Sequence, residues 1–195
     1  MIGSTRLPLL RIRGHTLVEL VLVVSLIAVA VAIAMPTTTV VAQARVDAAV
    51  TEVAQAVRFA QSEAIRTGVD CVVSLDTATG RVRIFQLNRG PTPPIEDVAK
   101  PVFYPIAGEK KYDFVLGEMP ASTGVKIASA VFTFADSSTT AQLGFSATGN
   151  PVNVQGPNPA DEIALAGTGK VTIAYGDISS SIIVDAATGR VTQSS

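Results

Sequence analysis

One acid inside an otherwise uninterrupted apolar run constrains this chain more than any other feature. Thr16-Leu17-Val18-Glu19-Leu20 leads into Val21 to Met35, where Ser25 is the only polar residue. A run of that length and composition reads as a membrane-spanning helix. A charge at the bilayer centre costs roughly 2.5–3.5 kcal/mol, so an acid in such a helix is a functional residue by default. Arg6, Arg11 and Arg13 precede the run, no acid precedes Glu19, and the next basic residue is Arg45. That asymmetry sets the N-terminus in the cytoplasm.

A short basic leader, Gly14, then Thr16-Leu17-Val18-Glu19-Leu20 entering an apolar helix resembles the class III signal of type IV pilins and pseudopilins. The resemblance implies a leader over residues 1–14, cut on the cytoplasmic side after Gly14 by a prepilin peptidase. It implies that His15 becomes the N-terminus and is N-methylated, where the family usually has phenylalanine. It also implies that Glu19 pairs with the free amine of a neighbouring subunit during assembly. A conventional secretory signal is the competing account, with an apolar core of about 7–15 residues and a small-x-small cleavage site. Ala42-Gln43-Ala44 fits such a site and would leave a secreted β-rich binding domain starting at Arg45. The run from Leu20 to Met35 is too long for that core, and an acid has no purpose in a discarded signal.

Behind the span, 15–36, the pattern changes. Pro36 should kink or interrupt the helix. Val46, Ala49, Val50, Val53, Val57, Ala60 and Ala64 then recur at three- and four-residue spacing. Arg45, Glu52, Gln55, Arg58, Ser62 and Glu63 supply the polar side. This predicts an amphipathic helix over 37–68 that needs a sheet to cover, ending at Gly68. Helical throughout, Thr16 to Thr67 would reach about 78 Å, more than a bilayer needs.

From 69 to 195, short apolar stretches alternate with turn residues, which predicts an antiparallel, β-rich periplasmic domain. Asp70 to Leu75 and Arg81 to Leu87 flank a turn at Asp76-Thr77-Ala78-Thr79-Gly80. Further strands are expected at 112–116, 125–128, 131–134, 141–145, 162–166, 170–175 and 181–184. Two stretches read as loops. One carries Pro91, Pro93, Pro94, Pro101 and Pro105, a stiff surface excursion. The other runs from Gly149 to Pro159. The fold class expected is therefore α+β, a long N-terminal helix packed on antiparallel sheets.

Arg58-Phe59-Ala60-Gln61-Ser62-Glu63-Ala64-Ile65-Arg66-Thr67-Gly68 is similar to the helix end of the GspH/FimT family of minor pseudopilins and pilins, with Gln61 where arginine is common. Leu143 to Pro151, and Ile182 through Val191, resemble that family's later strand, turn and last hairpin. The resemblance implies a pilin-like fold and assembly with other pilin or pseudopilin subunits. It implies an inner-membrane protein whose β-rich domain faces the periplasm or a filament surface. A minor pseudopilin of type II secretion is the expected role, with a secreted substrate as a further partner. The alternative is a type IV minor pilin of pilus assembly or DNA uptake.

Asp76-Thr77-Ala78-Thr79-Gly80-Arg81-Val82 recurs as Asp185-Ala186-Ala187-Thr188-Gly189-Arg190-Val191. Two copies without a fixed period read as one turn chemistry used twice, with glycine supplying positive φ. DNA-uptake members of the family touch phosphates through a terminal Gly-Arg-x-Arg turn. Here the terminal copy has only Arg190, while Arg81 and Arg83 share one strand face elsewhere. Losing the three leader arginines leaves 12 of the 15 basic side chains against 16 acids, about −4. DNA is therefore not an expected partner.

Enzyme chemistry has no foothold. The one histidine, His15, lies at the membrane boundary, which excludes a Ser-His-Asp triad from the domain. No phosphate loop or dinucleotide fingerprint is present, and no cofactor is expected. Cys71, the single cysteine, forms no internal disulfide and sits in an apolar run as a buried thiol.

Overall fold

A computed structural model describes residues 16–34, 38–105, 108–156 and 158–194. Gly14, His15, Met35 and Pro36 lie outside these, and with them the expected cleavage site. The chain divides into two units at Thr38.

The first unit carries helix α1, Leu17–Ala34, 18 residues long. Thr16 caps it: its Oγ1 accepts the Glu19 N–H at 3.3 Å, and its carbonyl accepts the Leu20 N–H at 3.1 Å. Thr16-x-x-Glu19 is the sequence of a capping box. At 1.5 Å per residue α1 is about 27 Å long, just short of a hydrocarbon core of about 30 Å. No described helix is by itself long and apolar enough to cross a membrane. The described α-helical residues are Leu17–Ala34 and Thr38–Thr67, and the position of the expected kink at Pro36 lies outside the described residues.

The second unit starts with α2, Thr38–Thr67. Its predicted stripe is the buried one: Val46, Ala49, Val50, Val53, Val57, Ala60 and Ala64 are all covered. Six small alanines among ten buried apolar positions of α2 let the sheets approach the helix closely. Gly68, at φ +67°, ends α2 by donating to the Ala64 carbonyl. Glu63 departs from the expected polar surface. It is 8% exposed and takes both oxygens to Arg66, at 2.8 and 2.6 Å.

Two antiparallel sheets follow. One runs β3 (Ile95–Glu96), β2 (Arg81–Asn88), β1 (Cys71–Asp76), β7 (Gln142–Phe145), β8 (Pro151–Val154), β9 (Glu162–Ala164), with β4 (Asp113–Val115) also on β2. The other runs β12 (Val191–Ser194), β11 (Ile178–Asp185), β10 (Thr168–Tyr175), β5 (Lys126–Thr133), β6 (Thr139–Thr140). A bridge between Phe134 and Leu165 joins them. Phe132, Phe134, Phe145, Leu143, Ile173 and Ile182 fill the space between sheets and helix.

The strands expected at 125–128 and 131–134 are one strand, β5. Thr172 pairs with Ser129 and Ile173 with Ile127, leaving Ala128 as an extra residue. This bulge puts Ala128 and Ser129 outward in succession and breaks the alternation that marks a strand. The stretch read as a loose loop after Gly149 contains β8, which starts at Pro151, a position where a strand tolerates proline.

Candidate functional site

The apolar residues of α1 are exposed on every side, from Leu17 at 80% to Val23 and Val31 at 47%. A helix apolar all round needs a lipid or protein environment to cover it. Glu19 stands in its first turn, also exposed. Its carboxylate there complements the helix dipole.

The repeated heptapeptides form the same turn. Asp76 accepts from the Ala78 and Thr79 N–H groups and the Thr79 hydroxyl, which in turn accepts from Arg81 N–H. Asp185 does the same with Ala187 and Thr188, and the Thr188 hydroxyl accepts from Arg190 N–H. Gly80 and Gly189 sit at φ +70° and +65°. Hydrogen bonds from the threonine hydroxyls, foremost, hold Asp76 and Asp185 below the usual carboxylate range.

The arginines fare differently. Arg81 and Arg83 do share a face of β2, as alternation predicts, but acids occupy it with them. Arg81 makes a two-pronged contact with Asp113 at 2.7 and 2.5 Å. Arg83 reaches Glu96 at 2.5 Å and Asp113 at 3.6 Å. The hydrogen bond from Arg81 pulls the Asp113 carboxyl well below its ordinary value. A groove of about 870 Å³ beside them sets Arg81, Lys110 and Lys111 against Asp76, Asp113 and Glu118. Charges so balanced give a phosphate backbone little to neutralise. Arg190 is exposed on the other turn, far along the chain from this pair.

Sequence reasoning missed the most buried charge cluster. Arg89 joins Asp70 and Glu162 and donates to the Asn158 carbonyl at 2.9 Å. It ties the start of β1 to β9, at opposite parts of one sheet. Asp70 and Arg89 both flank strands in the sequence, yet their pairing depends on a sheet order that spacing does not encode. Cys71 is fully buried beside them, and desolvation pushes its thiol up to about 12. Among the described residues no group of His, Cys, Asp and Glu gathers to hold a metal.

The segment read as a free surface excursion is partly anchored. Val102 is buried, the Tyr104 N–H donates to the Lys110 carbonyl, and the Tyr112 N–H donates to the Val102 carbonyl. Tyr104 stacks on Tyr112 at 4.1 Å, and Tyr112 on Phe59 of α2 at 5.0 Å. Burial raises both tyrosine hydroxyls, Tyr104 to about 12.

Fold and site define an α+β domain with antiparallel sheets, preceded in the chain by an exposed apolar helix. No family model matches the chain, and no curated protein matches it. A solved structure, the minor pseudopilin EpsH from the Type 2 Secretion System of Vibrio cholerae, is similar with a TM-score of 0.46 and 14% identity. That likeness covers 76% of this chain and 95% of the other.

Proposed function

We propose that this chain is a membrane-anchored structural subunit of a pilus-like filament, a minor pseudopilin of a type II secretion system, with no catalytic role. The observation that carries the reading is α1. It is apolar on every face and exposed, it holds one acid in its first turn, and a basic leader ending in Gly14 precedes it. In this reading a prepilin peptidase cuts after Gly14 and frees the His15 amine. Glu19 neutralises that amine across a subunit contact, where the low dielectric strengthens the pairing. The apolar helices then cover one another, and the β-rich domains face outward. The engagement of Arg81 and Arg83 by Asp113 and Glu96 favours secretion over DNA uptake.

The test separates the charge of Glu19 from its place in the helix cap. Glutamine keeps a capping box and loses the charge. Glu19→Gln and Glu19→Ala should both leave cleavage after Gly14 intact, read by the mass of the mature chain. Both should lose most incorporation into sheared filaments. Recovery of assembly in Glu19→Gln would assign the residue to capping alone. A mature chain beginning at Arg45 would sink the pilin reading altogether.

A further inference from the structure

The two Asp-x-x-Thr-Gly turns share a backbone and differ in what touches them. In each, the glycine N–H closes the turn onto the aspartate carbonyl, Gly80 on Asp76 at 2.8 Å and Gly189 on Asp185 at 2.9 Å. The turn at 185–189 is occupied. Gln61 of α2 lays its amide on it: Nε2 donates to the Thr188 carbonyl at 3.0 Å and lies 2.6 Å from where a Cβ on Gly189 would be. Only a glycine lets the amide come so close. Arg58, one helical turn earlier, donates to the Val191 carbonyl at 3.0 Å, just past the turn.

The turn at 76–80 offers the same seat without the amide. A Cβ on Gly80 would meet nothing within 4 Å. Val82, the counterpart of Val191, pairs with Phe114 of β4, and the Gly80 carbonyl accepts from the Leu116 N–H at 2.9 Å. The Thr79 carbonyl is the counterpart of the one that Gln61 holds, and it accepts from no described residue. Thr79 is exposed and lines two grooves, of about 870 and 360 Å³. The charges lining the larger groove balance, so neither a cation nor an anion is favoured there. A bare carbonyl in such a place suits a neutral donor, and the twin turn shows a glutamine amide on a helix supplying one.

α2 presents one such amide outward. Gln55 is exposed, and its side chain bonds to no described residue, whereas Gln43 is bonded to Asp47. Ala48 and Thr51, its neighbours on the open face, are short, so the Gln55 side chain stands clear of them. Within one copy Gln55 and Thr79 share no hydrogen bond, so a contact between them joins two copies.

We propose that Gln55 of one copy donates to the Thr79 carbonyl of the next, seating α2 on the 76–80 turn as Gln61 seats it on 185–189. Helix face and turn are different surfaces, so the contact is heterologous and propagates instead of closing into a two-fold pair. This deepens the filament reading and rests on it.

Two full-length copies with different tags, one Ala78→Cys and one Thr51→Cys, are co-expressed and treated in the membrane with a short bifunctional maleimide. Both positions are exposed, and the native Cys71 is buried, so background is low. The expected product is a linked pair carrying both tags. Gln55→Glu in the helix copy keeps the shape and removes the donor; Gly80→Ala in the turn copy fills the seat. Each should cut the yield about fivefold, the scale of one hydrogen bond. No mixed pair, a pair that both substitutions leave undiminished, or links to a different protein only would overturn the proposal. A Val24→Cys pair reporting α1 contact in the same membranes keeps the two ideas apart. Linkage there without the Ala78–Thr51 product refutes the turn contact and leaves the subunit reading standing; loss of both overturns both.

Discussion

A single amide at Gln61 ties α2 to two turns that lie 88 and 127 residues further along the chain. Its Nε2 donates to the Gly149 carbonyl at 2.9 Å and to the Thr188 carbonyl at 3.0 Å. Neither carbonyl belongs to a strand ladder, so the amide is what satisfies them in the protein. Gln61→Ala should therefore destabilise the second unit by about 1 kcal/mol, the cost of leaving the covered Gly149 acceptor unmet, while water can reach the exposed Thr188. Urea unfolding of the full chain in detergent measures this. An unchanged midpoint would show that water replaces the amide without loss. Gln61 stood out in the sequence only as a departure from the arginine common in the family. Its role depends on two turns meeting at one helix face, which no local pattern records. Glu63 is a similar case at shorter range. Its spacing from Arg66 marks an ion pair, but only the packing of α2 shows that the pair is partly covered.

At the scale of elements, the twin turns offer an internal control, because equal backbone chemistry sits in unequal surroundings. A Cβ added at Gly80 would meet nothing within 4 Å, whereas one at Gly189 would lie 2.6 Å from Gln61 Nε2 and 3.1 Å from Phe145. Both glycines have positive φ, which costs an L-residue about 1–2 kcal/mol. Gly80→Ala should lose about that much and no more. Gly189→Ala should lose measurably more, since Phe145 is fully buried and has no room to yield. Equal losses in thermal unfolding would mean that the Gln61 contact is loose. The turn chemistry itself was legible, since Asp, Thr and Gly at fixed offsets specify it. So were α2 and its buried stripe, the β1–β2 hairpin, and the shared face of Arg81 and Arg83. What stayed hidden was whatever depends on pairing. The bulge at Ala128 disguised one strand as two, and β8 was masked by the glycine and prolines around it. The acids opposite Arg81 and Arg83 come from β4 and β3, brought alongside β2 by sheet order. The motif around Gly14, His15 and Glu19 is a reading of the sequence alone; Gly14 and His15 lie outside the described residues, and Glu19 stands in the first turn of α1. The Arg89 cluster was not legible, because Asp70 and Glu162 reach it only through the order of the sheet.

Taken whole, the chain should owe its acid response to the unit that carries the charge. Asp76, Asp113, Asp136 and Asp185 all sit below their ordinary range, held by Thr79, Arg81, Ser138 and Thr188 respectively as the leading partners. A depressed folded value means that the unfolded chain binds more protons as pH falls. The stabilisation is thus fully present above about pH 4, the unfolded carboxylate range, and is lost as pH drops through the lower folded values. Three of these aspartates are exposed and contribute little each. Asp113 is part-buried under the Arg81 fork and should dominate. The urea midpoint should hold between about pH 7 and pH 5 and fall steeply from about pH 4 to pH 2. Asp113→Asn keeps the shape and removes the titrating group, so it should start lower at neutral pH and show a shallower acid slope. If Asp113→Asn reproduces the native slope, the Arg81–Asp113 pair has no share in the acid response. High salt should lower the neutral-pH midpoint of the native chain slightly, by screening a pair that still touches water.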